Sequence, residues 1–150
     1  MTRIQRVWSA APVTYLPEPL YYFASGVIGN KIYVVGGYNG TYSKTLRAYD
    51  TITGLWETMA QMPTGRSYLE AAVLNGKLYA MGGLISATVV PTTAVEKYDP
   101  DTNTRTTVTS LNTSRRAFGS AVVNGRIYAL NGVITSNWAV TDILEEYTQP

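Results

Sequence analysis

The chain has 150 residues and a formal net charge of +2, and it contains neither cysteine nor histidine. This composition excludes disulfides, thiolate metal sites and thiol nucleophiles, and it removes the commonest general base and transition-metal ligand. The small net charge gives no electrostatic argument for nucleic acid or anionic lipid as a partner. With 45% hydrophobic and 15% charged residues, we expect one packed domain over residues 1–150, without a metal or other cofactor.

The N-terminal region lacks the unbroken apolar segment of a signal peptide. No apolar run in the chain approaches the length of a membrane span. We therefore expect a soluble cytoplasmic protein with no membrane partner and no nucleic-acid partner.

The sequence repeats itself three times. Related segments read VIGNKIYVVGG at 27–37, VLNGKLYAMGG at 73–83 and VVNGRIYALNG at 122–132. Their central asparagines are separated by 45 and then by 49 residues. Other marks recur at steps of 49 residues: Tyr49, Tyr98 and Tyr147; Trp56 and Arg105; Arg66 and Arg115. Such self-similarity is typical of a repeat architecture, in which the extra residues fall in loops.

Each unit is predicted to contain four short strands, here called a to d. In the second unit they are expected near 70–74, 77–81, 94–98 and 104–108. Asn75-Gly76 joins the first two strands and predicts a type I′ hairpin turn, since both residues tolerate positive φ. No segment has helical periodicity over twelve residues. The pattern therefore indicates an all-β meander in three copies.

These marks together resemble the kelch repeat. The resemblance rests on the double glycine after strand b, the Tyr-Asp pair before the c–d turn, the tryptophan after that turn and a period near 50 residues. It covers residues 24 to 147 and implies four-stranded antiparallel blades of a β-propeller, arranged around a central channel. The implied units are approximately 19–66, 67–115 and 116–150.

Two departures from the kelch pattern stand out. Asn131-Gly132 replaces the double glycine in the third unit, which is a mild change because asparagine tolerates positive φ. Arg105 replaces the tryptophan in the second unit, and we expect this change to weaken the outer packing of that blade.

Three units are half of a six-bladed ring. The segment containing Arg6-Val-Trp-Ser9 resembles the strand d region that begins at Leu55. We therefore predict a head-to-tail homodimer, in which residues 5–15 of each copy supply strand d to the third blade of the other. A fragment of a longer chain, and a ring of three copies, are the alternatives.

Recognition is expected on the face that carries the d–a and b–c loops, because strands a and b are antiparallel and the a–b turns are short. The b–c loops are predicted at 38–44, 84–93 and 133–141. Arginine and aromatic side chains are enriched in binding hot spots. The candidate ligand-binding residues are Tyr21, Tyr38, Asn39, Tyr42, Arg66, Tyr68, Arg115, Arg116 and Trp138, with Tyr22 and Asn137 beside them.

The kelch resemblance implies roles for some of these residues. Arg66 and Arg115 match the arginines that line the pocket of peptide-binding kelch domains, and Tyr38 matches their tyrosine. Tyr21 is assigned to the arginine position of the first unit. The alternative for both arginines is a structural role, bonded to loop carbonyls. Glu70 is expected to pair with an arginine or to line the channel.

The sequence favours a binding or scaffold module that recognises an acidic peptide or an anionic sugar. The resemblance also admits a sugar isomerase like the sialic-acid mutarotases, using Glu70 with Arg66 or Arg115 as acid–base and anion-binding groups. The absence of histidine and cysteine excludes the copper oxidases of the family, which need histidines and a cysteine-linked tyrosine. A third alternative is a structural half propeller without a ligand.

Overall fold

A computed structural model describes residues 15–85 and 89–149 of the chain. Eleven strands are described, and no helix in these ranges is long and apolar enough to cross a membrane. The segment predicted to close the third unit, residues 5–15, lies outside the described residues except for Tyr15.

The strands form three antiparallel sheets that follow the three sequence units. Sheet 1 contains β1 (Ala24–Ile28), β2 (Lys31–Val35), β3 (Leu46–Asp50) and β4 (Trp56–Met59). Sheet 2 contains β5 (Glu70–Leu74), β6 (Lys77–Met81), β7 (Val95–Asp99) and β8 (Thr104–Thr107). Sheet 3 contains β9 (Gly119–Val123), β10 (Arg126–Leu130) and β11 (Leu144–Thr148). Strands pair in chain order within each sheet, which is the predicted meander.

The predicted strands of the second unit agree with β5 to β8 to within one residue at each end. The type I′ turn is also confirmed, because Asn75 and Gly76 both have positive φ, at 50° and 71°. Asn124 and Gly125 repeat this geometry in sheet 3, at 50° and 73°. The Asn-Gly pairs therefore fix the register of β5 with β6 and of β9 with β10.

The first two sheets share one apolar core, and the last two share another. Alternate residues of each strand point to opposite faces of a sheet. Tyr33 and Leu46 of sheet 1 therefore pack against Leu78 and Tyr98 of sheet 2, and all four are buried. On the other face of sheet 2, residues including Tyr79 and Met81 pack against Ile127 and Ala129 of sheet 3. Sheet 2 is thus covered on both faces by its neighbours.

The residue pairs that follow β2, β6 and β10 explain why the third unit can replace one glycine. The first member of each pair is in the left-handed region: Gly36 at 66°, Gly82 at 58° and Asn131 at 57°. The second member has a φ near 100° and is always glycine: Gly37 at 103°, Gly83 at 95° and Gly132 at 108°. Asparagine adopts the first conformation readily, whereas the second requires a residue without Cβ.

Arg105 retains the ring contact that the tryptophan makes in the first unit. Its guanidinium carbon lies 5.4 Å from the centroid of the Tyr98 ring, and the corresponding Trp56 and Tyr49 rings are 5.2 Å apart. Its Nε donates to the carbonyl of Ala60 at 2.8 Å. Arg105 therefore keeps the ring contact, but its Nη1 and Nη2 are buried without a hydrogen-bond partner among the described residues, and the expectation of weaker outer packing stays a prediction.

The outer faces of sheets 1 and 3 are apolar and exposed in the single chain. Val27 of sheet 1 is 61% exposed, and Leu144 of sheet 3 is 58% exposed. Exposed residues on these two open faces also include Ile32, Val123 and Leu130. Within residues 15–85 and 89–149, β11 has no strand partner on its outer edge. Large apolar surfaces and unpaired strand edges of this kind favour association.

Candidate functional site

The structure brings the d–a and b–c loops together at one end of each sheet. In all three units, a single bridge joins the loop before strand a to the residue that follows the glycine pair. The three bridges are Tyr21 with Tyr38, Ser67 with Leu84, and Arg116 with Val133. The shared face predicted from the strand order is therefore present, and we call it the loop face.

These bridges correct the alignment of the first unit. Tyr21, Ser67 and Arg116 occupy equivalent positions, so Arg66 and Arg115 align with Leu20 and not with Tyr21. The spacing is 46 residues between the first two units here and 49 between the last two. The prediction used the 45-residue spacing between Asn30 and Asn75, and it therefore assigned Tyr21 instead of Leu20 to the position of Arg66.

Arg66 lies in the loop before β5, its guanidinium packs against strands of sheet 2, and it has no exposed surface. Its guanidinium donates to the carbonyl of Ala94 at 2.9 Å and to the carboxylate of Glu96 at 2.9 Å. Its own carbonyl accepts a hydrogen bond from Gly37 of the preceding unit at 2.8 Å. The arginine therefore anchors the start of β7 to the d–a loop and links two sheets.

Arg115 repeats this arrangement in sheet 3. Its guanidinium donates to the carbonyls of Asn131 and Ile143 at 2.8 and 2.9 Å, and to the carboxylate of Glu145 at 2.7 Å. Like Arg66 it has no exposed surface. The prediction that Arg66 and Arg115 contact a ligand is therefore corrected: their donors bind loop carbonyls and buried glutamates, which is the structural alternative.

Among residues 15–85 and 89–149, no arginine pairs with Glu70, contrary to the expectation of pairing. Its carboxylate accepts a hydrogen bond from the Ser120 hydroxyl at 3.0 Å, between sheets 2 and 3. Burial raises the pKa of Glu70, although hydrogen bonds from Ser120 and from the Ala71 amide act in the opposite direction. The hypothesis of a sugar isomerase required Glu70 as the acid–base group beside Arg66 or Arg115 as the anion-binding group. Neither pair is present among the described residues.

The raised pKa of Glu70 has a measurable consequence. A carboxyl whose folded pKa lies above its unfolded value stabilises the fold at low pH, and this contribution is lost as pH rises through the interval between the two values. We therefore expect Glu70→Gln, which keeps an acceptor for Ser120, to gain stability relative to the parent chain between pH 4 and pH 7. Urea unfolding of both proteins at the two pH values measures this difference. A difference that stays constant, or that falls with rising pH, would contradict the expectation.

Five tyrosines form a continuous row of rings on the loop face. The Tyr22 and Tyr68 rings are stacked, with centroids 3.7 Å apart and an interplanar angle of 20°. Tyr21 continues the row with its ring 4.8 Å from Tyr22, and Tyr38 and Tyr42 follow at 5.5 and 5.2 Å. Tyr21 and Tyr22 are each about half exposed. The sequence placed these tyrosines on one face, and the structure shows them in direct contact.

Backbone geometry holds the centre of this row. Tyr22 and Tyr68 have positive φ values of 56° and 53°, which are uncommon for bulky residues. The Tyr68 amide donates to the Tyr22 carbonyl at 2.9 Å, and the Ala117 amide donates to the Tyr68 carbonyl at 2.9 Å. Burial and interaction with Tyr22 raise the pKa of Tyr68 to about 12. Both rings are thus held in position, and Tyr68 is neutral at physiological pH.

Arg116 and Trp138 extend the row onto the third sheet. The Arg116 guanidinium carbon lies 4.3 Å from the Trp138 ring centroid and 5.8 Å from that of Tyr68. Arg116 is 1% exposed, and its Nε and Nη2 have no hydrogen-bond partner within the described ranges. Trp138 is 61% exposed above it. We call the seven side chains the aromatic row: Tyr42, Tyr38, Tyr21, Tyr22, Tyr68, Arg116 and Trp138.

The remaining predicted site residue, Asn39, lies at the edge of this surface. Its side chain donates to Glu18 at 3.3 Å and accepts hydrogen bonds from Thr41 within its own loop. Asn137 binds Thr135 in the third b–c loop. Both asparagines therefore shape loops beside the aromatic row.

Comparisons with known proteins agree with this architecture. The kelch motif model matches residues 19–63 and 65–112, more than half of the chain. The Kelch-like protein terF of Aspergillus terreus is 34% identical over 86 residues, which are 51% of this chain and 19% of that protein. Kelch-like protein 15 of Danio rerio is 43% identical over 68 residues, which are 44% of this chain and 11% of that protein.

A solved structure has the same fold. The structure of YjhT matches with a TM-score of 0.72 and 22% identity, over 82% of this chain and 36% of that one. The chain thus spans about a third of that structure, and less than a fifth of the two curated relatives named above. The chain belongs to the kelch-repeat family, and its three sheets are blades of the kelch β-propeller type.

Proposed function

We propose that this chain is a binding module whose recognition surface is the aromatic row. The observation that carries the proposal is Arg116, which is buried between Trp138 and Tyr68 with two nitrogens unpaired. Leaving a charged donor buried without a partner is costly. An anionic group that reached this guanidinium would supply the missing acceptor, while the rings on either side would contact the rest of the ligand.

An acidic peptide suits this surface. The row extends over loops of all three sheets, which matches an extended ligand rather than a compact one. Guanidinium groups bind carboxylates through directed hydrogen bonds, and tyrosine and tryptophan supply rigid contact area with a polar edge. The acidic peptide is inferred from the chemistry of the aromatic row alone.

The test is a titration of a fluorescently labelled, glutamate-rich peptide against three variants. Arg116→Gln and Trp138→Ala should each weaken binding by about tenfold or more, because each removes a central contact. Lys31→Gln serves as the control, since it removes one positive charge beside an a–b turn at the opposite end of sheet 1. Equal affinities for Arg116→Gln and Lys31→Gln would contradict a specific role for Arg116, and the absence of binding to the parent chain would favour a ligand-free structural module.

Sugar isomerisation is the weaker alternative. It requires an acid–base group beside an anion-binding arginine, but Glu70 is bonded to Ser120 and the two arginines assigned to it are buried with other glutamates. Titration of sialic acid in the same assay tests this alternative, because the sugar should then bind while the peptide does not.

We also propose that a second copy of the chain covers the open faces of sheets 1 and 3. Repeat equivalence supports this partner. Tyr79 and Met81 of sheet 2 pack on sheet 3, and their equivalents Tyr128 and Leu130 lie on the open face of sheet 3. Leu78 of sheet 2 packs on sheet 1, and its equivalent Ile32 lies on the open face of sheet 1.

The two open faces therefore match the two sides of the interfaces already present within the chain. Two copies joined head to tail would bury both faces twice and form a six-bladed ring with two-fold symmetry. The loop faces of both copies would then surround one channel. Light scattering tests the assembly: a mass of twice the 16.4 kDa of one chain is expected, and 16.4 kDa at all concentrations would contradict it.

A further inference from the structure

A slot lies between sheets 2 and 3 at their outer edge. It is lined by residues of both sheets and of the segment after β8, including Tyr79, Leu111, Ile127 and Tyr147. The Tyr79 hydroxyl is fully buried and makes no hydrogen bond of normal geometry in the described part of the chain, although burial and its interaction with Tyr147 raise the pKa of Tyr79. Since buried hydroxyls normally have a partner, the slot contains an unused polar group on its wall, which also carries polar residues such as Thr109 and Glu145.

The corresponding slot between sheets 1 and 2 is filled by a residue of strand d. Arg105 lies directly opposite Tyr98 in the pairing of β7 with β8, covers the Tyr98 ring and donates to the carbonyl of Ala60. At the repeat spacing of 49 residues, Tyr147 is the equivalent of Tyr98, and Thr109 is the equivalent of Ala60. Both Tyr147 and Thr109 line the open slot. The slot is therefore the place of a strand d side chain that the described part of sheet 3 lacks.

We propose that residues 5–15 of a second copy add to the outer edge of β11 as its fourth strand, with Trp8 in this slot. This inference rests on the proposed assembly of two copies. Trp8 lies in a segment that resembles the start of β4, where Trp56 is directly opposite Tyr49. In the same register Trp8 is opposite Tyr147, Ser9 is opposite Glu146, and Pro12 follows the paired residues.

The chemistry of tryptophan suits the slot. Its ring would cover Tyr147 as Trp56 covers Tyr49, since these rings contact each other at 5.2 Å in sheet 1. Its indole N–H requires an acceptor when buried, and the Tyr79 hydroxyl offers one. Added strand pairing would also satisfy the free edge of β11, as in other cases of β-strand addition.

The geometry favours exchange between copies over closure within one chain. By repeat equivalence, residues 8–16 correspond to the segment around Ala60 and Met62, which packs at the junction of sheets 1 and 2. In the proposed assembly the N-terminal segment would therefore lie beside the open face of sheet 1. Sheet 2 stands between that face and β11 of the same chain, whereas the β11 of a docked second copy would be adjacent.

A cysteine pair tests the exchange directly, because the chain contains no cysteine of its own. The double variant Ser9→Cys, Glu146→Cys is oxidised under dilute conditions and run on a non-reducing denaturing gel. Covalent dimers are expected for the double variant, with little dimer for either single variant. A cross-linked monomer, or no cross-link above that of the single variants, would overturn the proposal.

Trp8→Ala tests the slot itself. It should raise the dissociation constant of the dimer by about tenfold or more, as expected for a buried aromatic anchor. Ile52→Ala is the matched control, since Ile52 is an exposed apolar residue in the c–d turn of sheet 1. If the parent chain is a monomer, the assembly and the exchange both fail. If it is a dimer that Trp8→Ala leaves unchanged, only the exchange fails.

Discussion

Replacing Arg66 by methionine is expected to lower the free energy of unfolding by about 3–5 kcal/mol. Arg66 and Glu96 form an ion pair at 2.9 Å with side chains only 1% and 7% exposed. Removing the guanidinium leaves the Glu96 carboxylate buried without its counter-charge, and it removes one of the two hydrogen bonds of the Ala94 carbonyl, which also accepts from the Gly82 amide. The measurement is urea unfolding at pH 7 at one fixed protein concentration.

A double variant separates these two causes. Arg66→Met combined with Glu96→Leu removes both charges and should recover about 2 kcal/mol or more, because apolar replacements of a buried pair are often well tolerated. The loss that remains then reports the hydrogen bonds that the guanidinium donates to backbone carbonyls. If the double variant is as unstable as Arg66→Met alone, the ion pair is not the reason for the effect.

The matched control is Arg47→Met. Arg47 pairs with Glu18 at 3.3 Å, and both side chains are more than a fifth exposed. A pair of this kind contributes about 0–1 kcal/mol, so Arg47→Met should have a small effect on the same measurement. Equal losses for Arg47→Met and Arg66→Met would contradict the argument from burial.

Burial is also the reason that these arginines were misread from the sequence. Arg66 and Arg115 occur in polar loops that precede a strand, and a loop arginine usually faces solvent. The repeat predicted the strands and the Asn-Gly turns well, because hydrophobic alternation and turn chemistry are local properties. Whether a loop side chain enters its own sheet depends on distant carbonyls, such as that of Ile143 for Arg115.

The aromatic row was predicted in part. Repeat spacing could have paired Tyr22 with Tyr68, since they are 46 residues apart at the spacing that the bridges define. Arg116 was a candidate because of its residue type, but repeat spacing gave no signal for its contacts, since Tyr21 and Ser67 hold its position in the other units and neither is charged. Its place between Tyr68 and Trp138 follows from the packing of loops that differ in sequence from unit to unit.

The largest effect on assembly is expected from Leu130→Arg. Leu130 lies on the open face of sheet 3, at the position where Met81 packs against the next sheet within the chain. It is 39% exposed in the single chain, so arginine can be accommodated there while the chain is a monomer. In the proposed ring the same guanidinium would be buried against apolar residues without a partner, at a cost of several kcal/mol.

The dissociation constant of the dimer should therefore rise by at least about 100-fold. Light scattering over a concentration series measures this change, and circular dichroism checks that the variant keeps its strands. Ile52→Arg is the control, because it adds the same charge at an exposed apolar residue away from both open faces. A dimer that Leu130→Arg leaves intact would mean that the open face of sheet 3 is not the surface at which two copies meet, and the channel surrounded by two aromatic rows would then not form.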